Sequence, residues 1–168
     1  KSADLYEQAL RAARDVDQIE ASAKALEEAG RKVDLPKVMG FLMRWKVIGP
    51  FDNTDRKGFG VAYPPERKID FGASYDGKGS KAKWSDFTTS DSFGMVDVNL
   101  EFGELKQVVA YAHTIYESEE ARKVQFRLGC KNAWKVWLNG KLLFARDEYH
   151  RGMRIDQYLI DAELKKGK

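Results

Sequence analysis

Residues 123–146 read KVQFRLGCKNAWKVWLNGKLLFAR. Within them Val124, Phe126 and Leu128 alternate with polar residues, and a period of two is typical of a β-strand. Asn139-Gly140 then separates two further apolar runs. Both residues tolerate the positive φ of a two-residue hairpin turn, so this stretch predicts a β-hairpin.

The predicted hairpin carries large apolar side chains on both of its faces. A type I′ turn would place Trp137 opposite Leu142 and Val136 opposite Leu143. We therefore expect an interior hairpin, covered on both sides within a sandwich of β-sheets.

The composition is that of a chain able to build its own core. Its 168 residues suit one domain, or one domain with a small appendage, and 43% of them are hydrophobic. The net charge of +3, from 29 basic and 26 acidic residues, does not favour a nucleic-acid partner. No apolar run reaches the ~20 residues that a membrane span requires.

Because the chain begins at Lys1 rather than Met, we expect a processed protein or a fragment of a longer one.

The first 43 residues predict a short helical segment. Their apolar residues recur at helical spacing in two stripes: Leu5, Ala9 and Ala12 or Ala13, then Ile19, Ala23 and Leu26. Asp17 followed by Glu20 fits a capping box for the second helix, and Gly30 fits its end. Asp34 as N-cap and Pro36 in the first turn predict a third helix. Such short helices cannot bury their stripes alone. They either pack on the β region or end a helical repeat array, and we favour the array.

From Arg44 onward, turn signals recur at short intervals and no helical period returns. The predicted strands are residues 45–48, 68–71, 82–88, 95–100, 107–117, 124–130, 134–138, 142–146 and 155–160. The predicted fold class is mainly β. It is an antiparallel jelly-roll β-sandwich over residues 44–168, preceded by the helical segment of residues 1–43.

Residues with catalytic chemistry are few. His113 lies in a predicted strand and is interpreted as a core histidine, while His150 lies in a loop. The single cysteine, Cys130, excludes an internal disulfide and a Cys-based zinc cluster. No G-x-S-x-G or H-E-x-x-H motif is present. We therefore expect no catalytic residues, although two carboxylates brought together by folding would leave a hydrolase open as a third hypothesis.

Two loops concentrate polar and aromatic side chains. In the first, Asp52 and Asp55 are weak candidates for a calcium site, with ordinary Asx turns as the alternative. The second loop reads DEYHRGMR and offers Tyr149, His150 and Arg151 together. An aromatic face beside forked donors suits a sugar or a carboxylate. The alternative is a loop held by an ion pair, such as Arg151 with Asp147 or Asp156.

Several segments resemble the galactose-binding-domain-like jelly-roll modules that accompany β-galactosidases and other glycoside hydrolases. They are the hairpin VWLNGKLLF preceded by FRLGCKNA, the closing segment HRGMRIDQYLIDAELKKGK, and the strands WKVIGPFDN and YAHTIY. The likeness covers about residues 45–168. It implies a jelly-roll sandwich without catalytic residues, whose ligand sites lie in loops at one end.

The resemblance also implies a context. Such modules occur in large extracytoplasmic proteins, periplasmic or secreted, where they can follow HEAT-like helical repeats. They continue past the closing segment into another apolar strand, which we expect to lie beyond Lys168 or to come from a neighbour. The loops at matching positions give six expected ligand contacts: Asp52, Asn53, Tyr63, Tyr149, His150 and Arg151.

Two functions are weighed on these grounds. The first is a non-catalytic carbohydrate-binding module of a larger, multidomain sugar-processing protein. The second is a structural spacer or protein-interaction domain without a small-molecule ligand, whose partners are other domains of the same parent chain. Neither function requires a cofactor, apart from a structural calcium ion in the loop of Asp52 and Asp55.

Overall fold

The computed structural model describes residues 2–150 and 152–168. Its helices are α1 (Ser2–Ala12), α2 (Val16–Glu28), α3 (Leu35–Met39), α4 (Pro64–Arg67) and α5 (Asn99–Phe102). Its strands are β1 (Arg44–Asp52), β2 (Ser74–Asp76), β3 (Lys81–Thr88), β4 (Val108–His113), β5 (Arg122–Leu128), β6 (Trp134–Leu138), β7 (Lys141–Arg146) and β8 (Tyr158–Leu164). A 3-10 segment, Thr54–Gly60, follows β1. The chain therefore has a helical beginning and a remainder rich in antiparallel sheet.

The N-cap of helix α2 lies two residues earlier than the sequence suggested. The Asp15 carboxylate accepts a hydrogen bond at 2.9 Å from the backbone N–H three residues on, so Asp15 is the N-cap. The predicted cap, Asp17, lies inside the first turn instead, where its charge favours the positive end of the helix dipole. Gly30 follows the helix as predicted with a φ of +80°. Asp34 caps α3 as predicted, by accepting from the Lys37 N–H at 3.2 Å.

Helices α1 and α2 pack on each other. The predicted stripe of α2 is buried, whereas the predicted stripe of α1 is confirmed at Ala13 alone. Leu10 and Ala13 are 1% and 3% exposed, whereas Leu5 is 64% exposed and Ala9 and Ala12 are also exposed. Apolar residues lie on two faces of α1, and only packing against a neighbour selects between them.

Four strands form one antiparallel sheet in the order β2-β3-β1-β4. In its centre Ile48 of β1 lies opposite Trp84 of β3 and Tyr111 of β4. The pairing of β1 with β4 shifts between Ile48 and Phe51. This bulge contains Pro50, which has no N–H to give to a ladder. The regular pairing is thus interrupted just before the loop that holds Asp52.

Both faces of β1 are covered in this sheet. Ile48, Phe51 and Ala82 are at most 1% exposed and form a core cluster, against which aromatic residues pack. Val47 points to the other face by alternation and is also fully buried. A strand buried on both faces is a rigid base for the loop that follows it.

Strands β5 and β8 form a separate antiparallel pair, with Phe126 opposite Ile160. Half-buried and exposed residues alternate along β5, which confirms the predicted period of two. The exposed face is polar apart from Leu159, and there Gln125 Nε2 donates to Asp161 Oδ1 at 3.0 Å. The pair therefore turns one apolar face inward and one hydrogen-bonded face outward.

Strands β6 and β7 form the predicted hairpin. Its turn residues, Asn139 and Gly140, have φ values of +50° and +80°, as a type I′ turn requires. The burial differs from the expectation. Every residue of β6 is half-buried and Leu142 is 48% exposed, so the hairpin is not interior. It pairs with no third strand among the described residues, which leaves it only partly covered.

Two predicted strands, at residues 68–71 and 95–100, are not strands. In the second region, the Asp91 carboxylate accepts from the Phe93 N–H at 2.9 Å and the Asp97 carboxylate from the Asn99 N–H at 3.0 Å. These local side-chain bonds stabilise turns in competition with a ladder. Strand β8 also begins three residues later than the predicted segment at 155–160.

The chain divides into two compact units that do not follow its order. The first unit comprises residues 2–41, 118–136 and 143–167, apart from Arg151. The second comprises residues 42–117 and 137–142, with Lys168. The first unit thus holds the long helices and the β5–β8 pair, and the second holds the four-stranded sheet. The expected division between residues 43 and 44 stays a prediction.

Candidate functional site

The loop after β1, in the second unit, contains three of the predicted ligand contacts. Within it the Asp52 Oδ1 atom accepts from the Thr54 hydroxyl at 2.6 Å and lies 3.1 Å from the Lys78 ammonium. The Thr54 hydrogen bond and then Lys78 lower the pKa of Asp52. Lys78 Nζ also donates to the backbone carbonyl of Gln107 at 2.9 Å. Asp52 therefore joins neighbouring segments of its own unit.

Asn53 is 7% exposed and holds the loop from inside. Its Oδ1 atom accepts from the Gly58 N–H at 2.9 Å, and its backbone N–H donates to the Gln107 carbonyl at 2.8 Å. A Cβ on residue 58 would lie 2.8 Å from the Asp52 carbonyl oxygen, so this close approach needs glycine. The amide of Asn53 is thus part of the loop's structure and is not presented to a ligand.

Tyr63 packs on the core of the second unit. Its ring stacks on Phe51 with 4.8 Å between centroids, and its hydroxyl donates to the Asp52 carbonyl. Tyr111 meets Phe51 edge-on at 5.7 Å and donates its own hydroxyl to Glu66 Oε1 at 2.7 Å. Burial, followed by the charge of Asp52, raises the pKa of Tyr63. One ring face of Tyr63 is therefore already occupied by the protein.

The two calcium candidates each have a lysine beside them. Asp52 lies against Lys78, and Asp55 Oδ2 is 3.3 Å from Lys57 Nζ. No group of three or more His, Cys, Asp or Glu side chains in residues 2–150 and 152–168 is placed to hold a metal ion. The loop thus gives the calcium hypothesis no support.

The loop after β7, in the first unit, contains the other predicted contacts. Tyr149 is half-buried and His150 is exposed, with ring centroids 6.4 Å apart. Arg151 lies outside the described residues. Asp156, one of the partners expected for Arg151, is bonded to Arg127 at 2.6 Å. The structure therefore brings Tyr149 and His150 together in one unit, while Asp52, Asn53 and Tyr63 lie together in the other.

Sequence reasoning missed a group of side chains in the first unit, one of which, Glu148, directly precedes Tyr149. The group comprises Trp134, Phe144, Arg146, Glu148 and Tyr158, and we call it the aromatic–arginine cluster. Arg146 Nη2 lies 2.6 Å from Glu148 Oε1, and the Arg146 guanidinium lies 5.4 Å from the centre of the Tyr158 ring. Trp134 lies 4.9 Å from Phe144 and 5.1 Å from Tyr158, centroid to centroid. Strands β6, β7 and β8 thus each give an aromatic ring to the cluster.

The sequence held one signal for this cluster. Phe144 and Arg146 are two positions apart on one strand, so their side chains lie on the same face. Glu148 follows at the same spacing just after the strand ends. Glu148 raises the pKa of Arg146 through its hydrogen bond and charge. The side chains of Arg146 and Glu148 are 34% and 42% exposed, so the cluster has a charged edge open to solvent.

Two N–H donors in the cluster are buried without an acceptor. They are Trp134 Nε1 and Arg146 Nε, and neither has a hydrogen-bond partner in the described part of the chain. A buried donor left unpaired costs roughly 1–3 kcal/mol. Both atoms are shielded from solvent, so their unpaired N–H groups weaken the cluster and do not by themselves offer a contact to a ligand.

Two residues with catalytic potential, His113 and Cys130, are partly buried. The ring of His113 lies 5.2 Å from Phe71 and 6.3 Å from Trp84, and burial lowers the pKa of His113. Burial likewise raises the pKa of the Cys130 thiol, which disfavours the reactive thiolate. His113 therefore has the surroundings of a packed core histidine, as its sequence context suggested.

Comparisons with known proteins identified no relative of this chain. The chain matches no protein-family model, no curated protein and no solved structure. Of the helices in the described residues, none combines the length and apolar character that crossing a bilayer demands.

Proposed function

We propose that this chain is a non-catalytic carbohydrate-binding module with a jelly-roll architecture, belonging to a larger sugar-processing protein. The sugar is held by the aromatic–arginine cluster together with Tyr149 and His150. The observation that carries the proposal is the set of packed aromatic rings beside the Arg146–Glu148 pair, whose side chains are 34% and 42% exposed. The resemblance of the hairpin and closing segment to galactose-binding-like modules supports the same class.

The chemistry of the cluster suits a sugar. A sugar ring presents C–H groups that pack on aromatic rings, while each hydroxyl both donates and accepts hydrogen bonds. Trp134 and Tyr158 supply aromatic rings, and the partly exposed side chains of Arg146 and Glu148 supply donors and an acceptor. Because these contacts are few and binding must also offset the entropy lost when the ligand is immobilised, we expect weak binding, with a Kd on the order of 1 mM.

Only some of the predicted residues are assigned as ligand contacts. Tyr149 and His150 stay as contacts because they continue directly from Glu148. Asp52, Asn53 and Tyr63 are assigned to the structure of the loop after β1, because their polar groups are bonded within the second unit.

A glycan array followed by isothermal titration calorimetry tests the proposal. Glu148→Gln keeps the size of the side chain but removes its charge. Loss of a hydrogen bond to a charged group, worth about 1.5 kcal/mol at a partly exposed site, should weaken binding roughly tenfold. Tyr149→Ala should weaken it as well. The control is Tyr6→Ala, since Tyr6 is 41% exposed on α1 and lies outside the residues proposed to hold the sugar. Absence of binding to any glycan at about ten times the expected Kd would contradict the proposal.

A second candidate function is the spacer or interaction domain. Leu5 is 64%, Tyr6 41% and Val16 38% exposed, so the helical pair of the first unit leaves apolar side chains uncovered. Exposed apolar patches mark interaction surfaces, and here another domain of the parent chain is the proposed partner. Leu5→Glu should leave the stability of this chain unchanged and weaken its association with the remainder of the parent chain. Unchanged association in a pull-down of the parent's domains would count against it.

A further inference from the structure

An open depression of about 330 Å³ lies on the four-stranded sheet of the second unit. Lys83 and Ser85 line it from β3, where positions two apart share a face. Gly49, which also lines it, is the register partner of Lys83 on β1. A Cβ at Gly49 would lie 3.2 Å from the Cβ of Ala110 on β4, so glycine permits the close packing of the strands beneath the depression.

The depression contains one unpaired charge of each sign. Neither Lys83 nor Glu101 forms an ion pair within the described residues, although both line the same depression. The neighbouring Lys81, by contrast, is bonded to Asp76. Lys83 and Glu101 also do not pair with each other, so an ammonium and a carboxylate are both available to a ligand between them.

The remaining lining combines a polar group with an apolar wall. The Ser85 hydroxyl is buried and has no hydrogen-bond partner in the part of the chain that the structure describes. Phe102 and Leu105 give the depression an apolar side, and Leu105 is 46% exposed although it is a large hydrophobic residue. A ligand with an apolar substituent would cover this surface and remove it from water.

We infer that this depression binds a small zwitterion with an apolar substituent, of the class of the α-amino acids. Lys83 faces the ligand's carboxylate, Glu101 its ammonium group, and Phe102 with Leu105 its side chain. Ligand pockets span about 300–1,000 Å³, and a site at the lower end of that range suits a molecule of this size. A simple anion or cation would satisfy only one of the two unpaired charges. The site is separate from the proposed sugar site and does not depend on it.

The test is a titration of the whole chain with leucine, followed by nuclear magnetic resonance. Leucine should give saturable shifts in the signals of residues 83, 85 and 101–105. Leucine amide lacks the carboxylate and N-acetyl-leucine lacks the ammonium group, and each should bind about three- to tenfold more weakly, as expected for partly exposed ion pairs. Binding of the derivatives as tightly as leucine would overturn the inference. So would the absence of leucine binding, or equal binding of a neutral sugar at the same residues.

Matched variants make the assignment specific. Lys83→Met and Glu101→Gln should each weaken leucine binding about three- to tenfold. The controls are Lys68→Met and Glu104→Gln, two exposed residues of the same unit that do not line the depression. Glu104 lies in the same segment as Glu101, so it controls for a general change of charge there. Equal effects of the control and test variants would contradict the assigned contacts.

Discussion

Replacing Asn53 with alanine separates a structural role from a ligand role at the loop after β1. The substitution removes the acceptor for the buried Gly58 N–H, which is 2.9 Å from Asn53 Oδ1. A buried N–H left without an acceptor costs about 1–3 kcal/mol. For a chain of this length each kcal/mol lowers the Tm by about 2–4 °C, so the expected shift is about 2–12 °C.

Urea denaturation followed by tryptophan fluorescence measures the loss directly. Asn132→Ala is the control, since Asn132 is exposed and such surface changes usually stay within about 0.5 kcal/mol. At a temperature where Asn53→Ala is folded, its sugar affinity should equal that of the unsubstituted chain. If the variant kept full stability but lost sugar binding, Asn53 would be a ligand contact and our reading of this loop would be refuted.

Two further predictions concern the core of the second unit. Ile48→Ala should lower the free energy of unfolding by about 2–5 kcal/mol, because Ile48 is fully buried. The control Ile115→Ala, at a residue 59% exposed, should change that free energy by no more than about 0.5 kcal/mol. Equal urea midpoints for the two variants would contradict the core assignment. Burial, followed by the hydrogen bond to Glu66, raises the pKa of Tyr111 far above its ordinary value of 10.0. The folded state therefore keeps a proton that the unfolded state loses, so this contribution to stability is complete below pH 10 and falls as the pH rises above it. Tyr111→Phe should flatten that alkaline decline in pH-dependent denaturation, and an unchanged decline would exclude Tyr111 as its source.

Local patterns predicted the parts of the fold that local physics controls. The alternation along β5 and the Asn139-Gly140 turn are confirmed, because side-chain direction and positive φ depend only on neighbouring residues. Burial of the hairpin was overestimated, since it depends on which elements cover it. The strand at residues 95–100 failed because Asp91 and Asp97 bond to the backbone near them and stabilise turns.

The candidate site was predictable only in part. The loop of Tyr149 and His150 was visible as a run of aromatic and basic residues. Trp134 and Tyr158 lie on separate strands 24 positions apart in the chain, and no local pattern shows that they meet. Asp52 and Asn53 looked like ligand contacts because the side chains that bind metals and sugars are also those that close Asx turns. Only their bonded partners, Thr54 and Gly58, distinguish the two roles.

The most direct test of the central claim is to follow the four tryptophan indole N–H signals by nuclear magnetic resonance while a bound glycan is added. The Trp134 ring packs inside the aromatic–arginine cluster, 5.1 Å from the Tyr158 ring, whereas the Trp45 indole N–H donates to the Leu42 carbonyl at 2.7 Å in the second unit. We predict that the Trp134 signal shifts in a saturable manner and that the Trp45 signal does not move. A glycan that binds the chain without shifting the Trp134 signal would contradict the assignment of the aromatic–arginine cluster as the sugar site.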